Sequence, residues 1–97
     1  MNITITKKII AYFKEKPAVK KVYIFGSYAR NEENPESDID ILLDMNPKKP
    51  IGRFQFGEML EDLKELLLID IDLITSKSVS KHILPLIDKD KILIYES

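Results

Sequence analysis

Apolar residues recur at helical spacing in three stretches of this chain, and they alternate or run on continuously in four others. From Thr4 or Thr6 to about Lys16, Ile9, Ile10, Tyr12 and Phe13 form one face, with Lys7, Lys8, Lys14 and Lys16 opposite. That pattern predicts an amphipathic helix. Thr6 is placed to cap it and Pro17 to stop it. Lys20 to Phe25 is nearly continuous in β-branched and aromatic residues, which predicts a buried strand ended by Gly26. Ser27 to Arg30 starts a short helix. The polar stretch Asn31 to Glu36 carries Pro35 and reads as a loop. Ile39 to Leu43 is the second strand, closed by Asn46 and Pro47. Phe54 to about Leu67 is the longest helical pattern, with Phe56, Met59, Leu60, Leu63, Leu66 and Leu67 on one side. Ile69 to Thr75 alternates as a third strand. Ser76 to about Asp88 predicts a helix with Val79, Ile83, Leu84 and Ile87 inward and a kink or interruption at Pro85. Lys91 to Tyr95 is a last short strand.

The element order is thus α-β-α-β-α-β-α-β, an α+β chain with α/β-like alternation and a β-sheet flanked by helices. About 13 residues join the first two strands, enough for a crossover or for a looser, mixed sheet. At 97 residues one domain spanning 1–97 is expected. Hydrophobic residues make up 44% and charged residues 32%, ordinary values for a globular protein. The formal net charge of -1 gives no global pull toward nucleic acid or an acidic membrane, although a local basic patch stays open. There is no cysteine, which excludes disulfides, thiol catalysis and cysteine zinc sites and fits a reducing cytoplasm. No signal-peptide pattern or membrane-length apolar run is present, so a cytoplasmic protein is expected.

The chemistry is concentrated between Gly26 and Leu43. Asp38 and Asp40 lie two apart, so on a strand their carboxylates share a face. An Asp-x-Asp pair alone fits a strand end dipping into solvent. Here Ile39, Ile41, Leu42 and Leu43 imply a buried strand, where unpaired carboxylates are costly. A divalent cation would neutralise them, Mg2+ best among the hard ions that share ligands with phosphates. Asp70 and Asp72, on one face of the third strand, could supply a third carboxylate, or could simply face water on an edge strand. Gly26-Ser27 is either a tight turn with an ordinary cap or a place where backbone N–H groups meet phosphate. Arg30, one turn on, reaches phosphate or pairs with a carboxylate to hold the loop. His82, the sole histidine, reads as a surface residue. Tyr12, Tyr23 and Tyr95 read as core or interface, and Tyr28 could flank a nucleotide.

Gly26-Ser27-Tyr28-Ala29-Arg30-Asn31, five residues, then Ser37-Asp38-Ile39-Asp40-Ile41-Leu42-Leu43 resembles the G-S-x-A-R-G-x5-S-D-x-D-L-x-V motif of the minimal nucleotidyltransferases of the DNA polymerase β superfamily, the MntA-type antitoxins among them. Ile71-Asp72-Leu73-Ile74 is similar to that family's V-D-L-V segment and favours Asp72 over Asp70. The resemblance implies a polymerase β-like fold with a mixed sheet. It implies that Asp38, Asp40 and Asp72 are catalytic and bind metal, two Mg2+ ions being expected. It assigns the nucleotide to Gly26, Ser27, Arg30 and Ser37, with ATP as substrate. Asn31 replaces the usual Gly, and Asn tolerates a left-handed backbone. Asp70 stands where the family often has a basic or other polar residue.

Many stand-alone members are antitoxins of type VII-like pairs, partnered with a HEPN-domain toxin, some transferring AMP from ATP to a toxin tyrosine. That reaction is the expectation for this chain, with a hetero-oligomer as one form of the complex and no membrane or direct nucleic-acid partner. Two rivals remain. One is an antitoxin that only binds its toxin. The other is the catalytic subunit of a two-component small-molecule nucleotidyltransferase, such as one that modifies an antibiotic.

Overall fold

The computed structural model describes residues 2–97. Helix α1 (Ile3–Lys14) begins one residue before Thr4, the earlier of the two expected starts, because Asn2, not Thr6, is its cap. The Asn2 side-chain oxygen accepts from the Thr4 and Ile5 N–H groups at 2.8 and 3.3 Å. Thr6 lies inside the helix, and its hydroxyl donates to the Asn2 carbonyl at 3.1 Å. Asn competes well for this position because its short side chain reaches the free N–H groups of the first turn.

Strand β1 (Val19–Phe25) leads into the four-residue helix α2 (Gly26–Ala29), and β2 (Ile39–Met45) follows the loop. Helix α3 (Arg53–Leu67) ends at Leu68 in a left-handed conformation, φ 57°, with its N–H bonded to the Lys64 carbonyl. Strand β3 (Ile71–Thr75) is two residues shorter than the alternation predicts, since Leu68 spends the preceding residues on the turn out of α3. The helix predicted over Ser76 to Asp88 does not form as one piece. A 3-10 turn covers Ser76–Ser78, and α4 spans Leu84–Asp90. Pro85 lies in the first turn of α4, where its missing N–H costs nothing and its fixed φ suits a helix start. Of the kink or interruption expected at Pro85, the structure has the interruption, with proline at the start of the second piece, and Ile83, expected inward, is exposed. Strand β4 (Ile92–Glu96) closes the order.

The four strands line up as β3-β2-β1-β4. β1 is antiparallel to both β2 and β4, whereas β2 and β3 are parallel. The sheet is mixed, as the family resemblance implies. Ile39, Ile41 and Leu43 of β2 are fully buried and join Ile9 and Phe13 of α1 and Met59, Leu63 and Leu67 of α3 in the core. Leu66, expected with them, is partly exposed, because Met59, Leu63 and Leu67 already complete the inward stripe. Tyr12 donates to Asp62 at 2.7 Å and ties α1 to α3. Among the described residues no helix is long and apolar enough to cross a membrane.

Leu63 has no solvent exposure in the stripe that fastens α3 to the sheet. Leu63→Ala is expected to lower stability by roughly 2–5 kcal/mol. Urea unfolding measures it, as a shift in midpoint with little change in slope.

Candidate active site

The turn after β1 places the first group of residues. Gly26 has φ 73°, a left-handed conformation that glycine adopts without a Cβ clash. It also has no room for a side chain. A Cβ there would lie 2.1 Å from Oδ2 of Asp40. The carboxylate of Asp40 therefore rests against the Gly26 backbone, one strand away in register, where Phe25 pairs with Asp40. Helix α2 then closes tightly. The Glu32 N–H reaches the Ser27 carbonyl at 2.9 Å, and the Asn31 N–H reaches that of Tyr28 at 3.4 Å. This is a Schellman-type stop with Asn31 as the left-handed residue, φ 57°. The replacement of the family's glycine by Asn31 thus leaves the turn intact.

The second group comes from the neighbouring strands. Asp38 stands just before β2 and is exposed, and Asp40 is half-buried on it. The parallel register sets Asp40 directly beside Asp72. The pairing starts where the Ile39 N–H meets the Asp70 carbonyl at 2.9 Å. Asp70 contributes main chain there, and its side chain is exposed one position ahead of β3. Of the two candidates on this segment, Asp72 is the one that register pairs with Asp40.

Electrostatics mark Asp40 out. Its pKa is raised from 3.8 to about 6, first by burial, then by the charges of Asp72 and Asp38, with Arg30 opposing. Those are the causes expected of acids crowded at a strand end. As they stand, no set of three or more His, Cys, Asp or Glu side chains among the described residues is close enough to hold a metal ion. The donor chemistry nevertheless suits a hard divalent cation: carboxylate oxygens only, two of the three acids fixed beside each other by the sheet, and a charge on Asp40 that its surroundings disfavour.

The remaining candidates are more dispersed. Arg30 pairs with Glu32, at 3.1 Å, and with Asp90 of α4. Its guanidinium thereby holds the motif helix to the C-terminal part of the chain, the loop-holding alternative. Ser37 caps the turn before β2, its hydroxyl accepting from the Asn34 N–H at 3.0 Å. It lines a cleft with Asp70 and Lys64. Tyr28 is buried in the core and does not flank the site. His82 is exposed. Asp90 was missed by sequence reasoning. It lies 60 positions from Arg30, and no local pattern links the two.

A family model described as polymerase beta, nucleotidyltransferase matches residues 7–97. The chain belongs to this nucleotidyltransferase family. A relative from Methanocaldococcus jannaschii, provisionally named a protein adenylyltransferase, is 45% identical over 82 residues, which is 84% of this chain and 82% of the relative. The protein adenylyltransferase MntA of Thermococcus cleftensis is 34% identical over 70 residues, 72% of this chain and 69% of that protein. The fold is similar to that in a toxin–antitoxin crystal structure with AMP-PNP, with a TM-score of 0.81 at 24% identity over 95% of this chain and 73% of the other. It is also similar to that in a complex of a tri-AMPylated Shewanella oneidensis HEPN toxin with its MNT antitoxin, with a TM-score of 0.77 at 22% identity over 100% of this chain and 74% of the other. The chain is accordingly an enzyme of the nucleotidyltransferase class.

Two outcomes follow from this geometry. Gly26→Ala should destabilise the protein, and adding Asp40→Gly should restore part of the loss by removing the overlapping carboxylate. A double-mutant cycle of urea melts should show coupling of about 0.5–3 kcal/mol, and strict additivity would contradict the contact. The raised pKa of Asp40 means that folding favours its protonated form. That contribution is fully present below the ordinary value of 3.8 and is lost as pH rises through about 6. In metal-free buffer Asp40→Asn should therefore stabilise the protein at pH 7.5, by about 1 kcal/mol once solvent screening is allowed for, and change little at pH 3.5. Equal effects at the two pH values would contradict the shift.

Proposed function

We propose that this chain is a Mg2+-dependent protein adenylyltransferase that transfers AMP from ATP to a tyrosine hydroxyl of a HEPN-domain toxin, as the antitoxin of the pair. The observation that carries the reading is the register of β2 and β3, which puts Asp72 beside Asp40 with the charge of Asp38 acting on the same group. Asp38, Asp40 and Asp72 would hold the metal. When bound, two Mg2+ ions would supply charge neutralisation and hold the attacking and leaving oxygens in line. Gly26 and Ser27, by resemblance, would receive the β- and γ-phosphates, with Ser37 beside the acids. Arg30 would act mainly through position, since Glu32 and Asp90 occupy its guanidinium.

The acceptor oxygen attacks the α-phosphorus, the bond from that phosphorus to the bridging oxygen of the β-phosphate breaks, and pyrophosphate leaves. The hydroxyl proton passes to a carboxylate, by resemblance that of Asp72, which stands beside Asp40 in the register of β2 and β3. In this reading residues 1–97 form a single minimal domain working in the cytoplasm, and the partner builds the acceptor half of the site. Support for the partner class comes from the toxin–antitoxin complexes that share this fold and from the adenylyltransferase names of the relatives.

Incubation of the complex with ATP labelled at the α-phosphate and Mg2+ should label the toxin. Asp38→Ala/Asp40→Ala should abolish transfer, because both proposed metal ligands are lost, while leaving complex formation intact. Mg2+ should also raise the melting temperature of the wild-type chain and not that of the double variant. A double variant that still neutralises the toxin fully would favour an antitoxin acting by binding alone.

A further inference from the structure

The opposite end of the sheet carries a second cleft, of about 450 Å3. Its floor and walls come from Met45 at the end of β2, Pro50 and Ile51 before α3, and Phe56 on the first turns of α3. Arg53 and Lys77 are the charged residues of its lining, and no carboxylate contributes to it. Both cations are exposed, and neither has an ion-pair or hydrogen-bond partner among the described residues. The first turn of α3, which opens onto the cleft, contains no acidic residue, so its peptide dipoles add to the positive potential. Acids stand in the adjoining clefts: Asp44 with Lys20 and Lys77 in one, and Glu58 with Lys16 and Lys49 in the other.

This place is separate from the catalytic acids. Met45 is five residues beyond Asp40 along one extended strand, roughly 17 Å at about 3.3 Å per residue. Thr75, which also lines the cleft, ends β3, whereas Asp72 stands near its start. The size is that of a small-molecule pocket, a class that runs from about 300 to 1,000 Å3. An apolar interior with two unpaired cations selects on two properties at once. The walls reward a ring or a short hydrocarbon body, and Arg53 and Lys77 reward an anionic group at its end. Inorganic phosphate satisfies only the second, and an uncharged aromatic compound only the first.

We infer that the cleft between Met45, Phe56, Arg53 and Lys77 is a second binding site, for an organic anion with an aromatic or short aliphatic body. The probe is 8-anilinonaphthalene-1-sulfonate, titrated into the full chain and followed by methyl NMR. Met45→Leu identifies the Met45 signal. Saturation at one probe per chain is expected, with the largest shifts at Met45, Ile51 and Thr75. Arg53→Ala/Lys77→Ala should weaken binding at least fivefold, and should leave the melting temperature close to that of the wild type because neither side chain has a partner to lose. The uncharged N-phenyl-1-naphthylamine should bind at least fivefold more weakly than the sulfonate. Unchanged affinity in the double variant, or shifts centred on the exposed Leu86 and Leu93, would overturn the assignment. Inorganic phosphate binding as tightly as the probe would overturn the organic part of it.

Discussion

Strand β2 runs against one neighbour and with the other, and the site depends on that mixture. Because β1 is antiparallel to β2, the C-terminal end of β1 meets the N-terminal end of β2. Because β3 is parallel to β2, its N-terminal end arrives at the same edge. Gly26, Asp38, Asp40 and Asp72 are gathered by strand direction alone. In an all-parallel sheet the Gly26 turn would lie a strand length away from Asp40, roughly 20 Å for a strand of typical length. No choice of side chains could then recover the site.

That arrangement asks for a rigid support and a missing side chain. The support is the buried row Ile39, Ile41 and Leu43, packed against Phe13 and Leu63. The missing side chain is that of Gly26, whose backbone Asp40 touches. Half-buried and flanked by two acids, Asp40 is held in a charge state that its surroundings disfavour. A local liability of this kind in an otherwise consistent fold is the usual mark of a working site. Arg30 shows the complementary economy. It opposes the charge of Asp40 from a distance while its own hydrogen bonds, to Glu32 and Asp90, tie the motif helix to α4.

The near-zero net charge conceals how unevenly charge is placed. Acids crowd the end of the sheet where β2 and β3 begin, and Arg53 and Lys77, with no ion-pair partner among the described residues, line a cleft where those strands finish. An overall count excludes a global field and nothing more. The two ends of one pair of strands thus offer different chemistry: oxygen donors suited to a cation at one, and an apolar hollow edged with positive charge at the other.

Local pattern was enough for much of this molecule. Helical spacing from Phe54 to Leu67, the dense apolar runs of β1 and β2, and the spacing from Gly26 to Asp40 were all legible, because short-range periodicity and turn chemistry fix them. The left-handed turn at Asn31 was legible too, since the residue type carries the backbone preference. The errors share a cause: several residues could satisfy the same local rule. Asn2 and Thr6 can both cap a helix, and Val79, Ile83, Leu84 and Ile87 fit one continuous helical face as well as a broken one. Only competition among neighbours decides. The pairing of Asp72 with Asp40, the salt bridge from Arg30 to Asp90 and the burial of Tyr28 lay beyond the sequence as such. Each joins or positions residues through strand order and helix docking, and these are properties of the whole chain's packing, not of any segment within it.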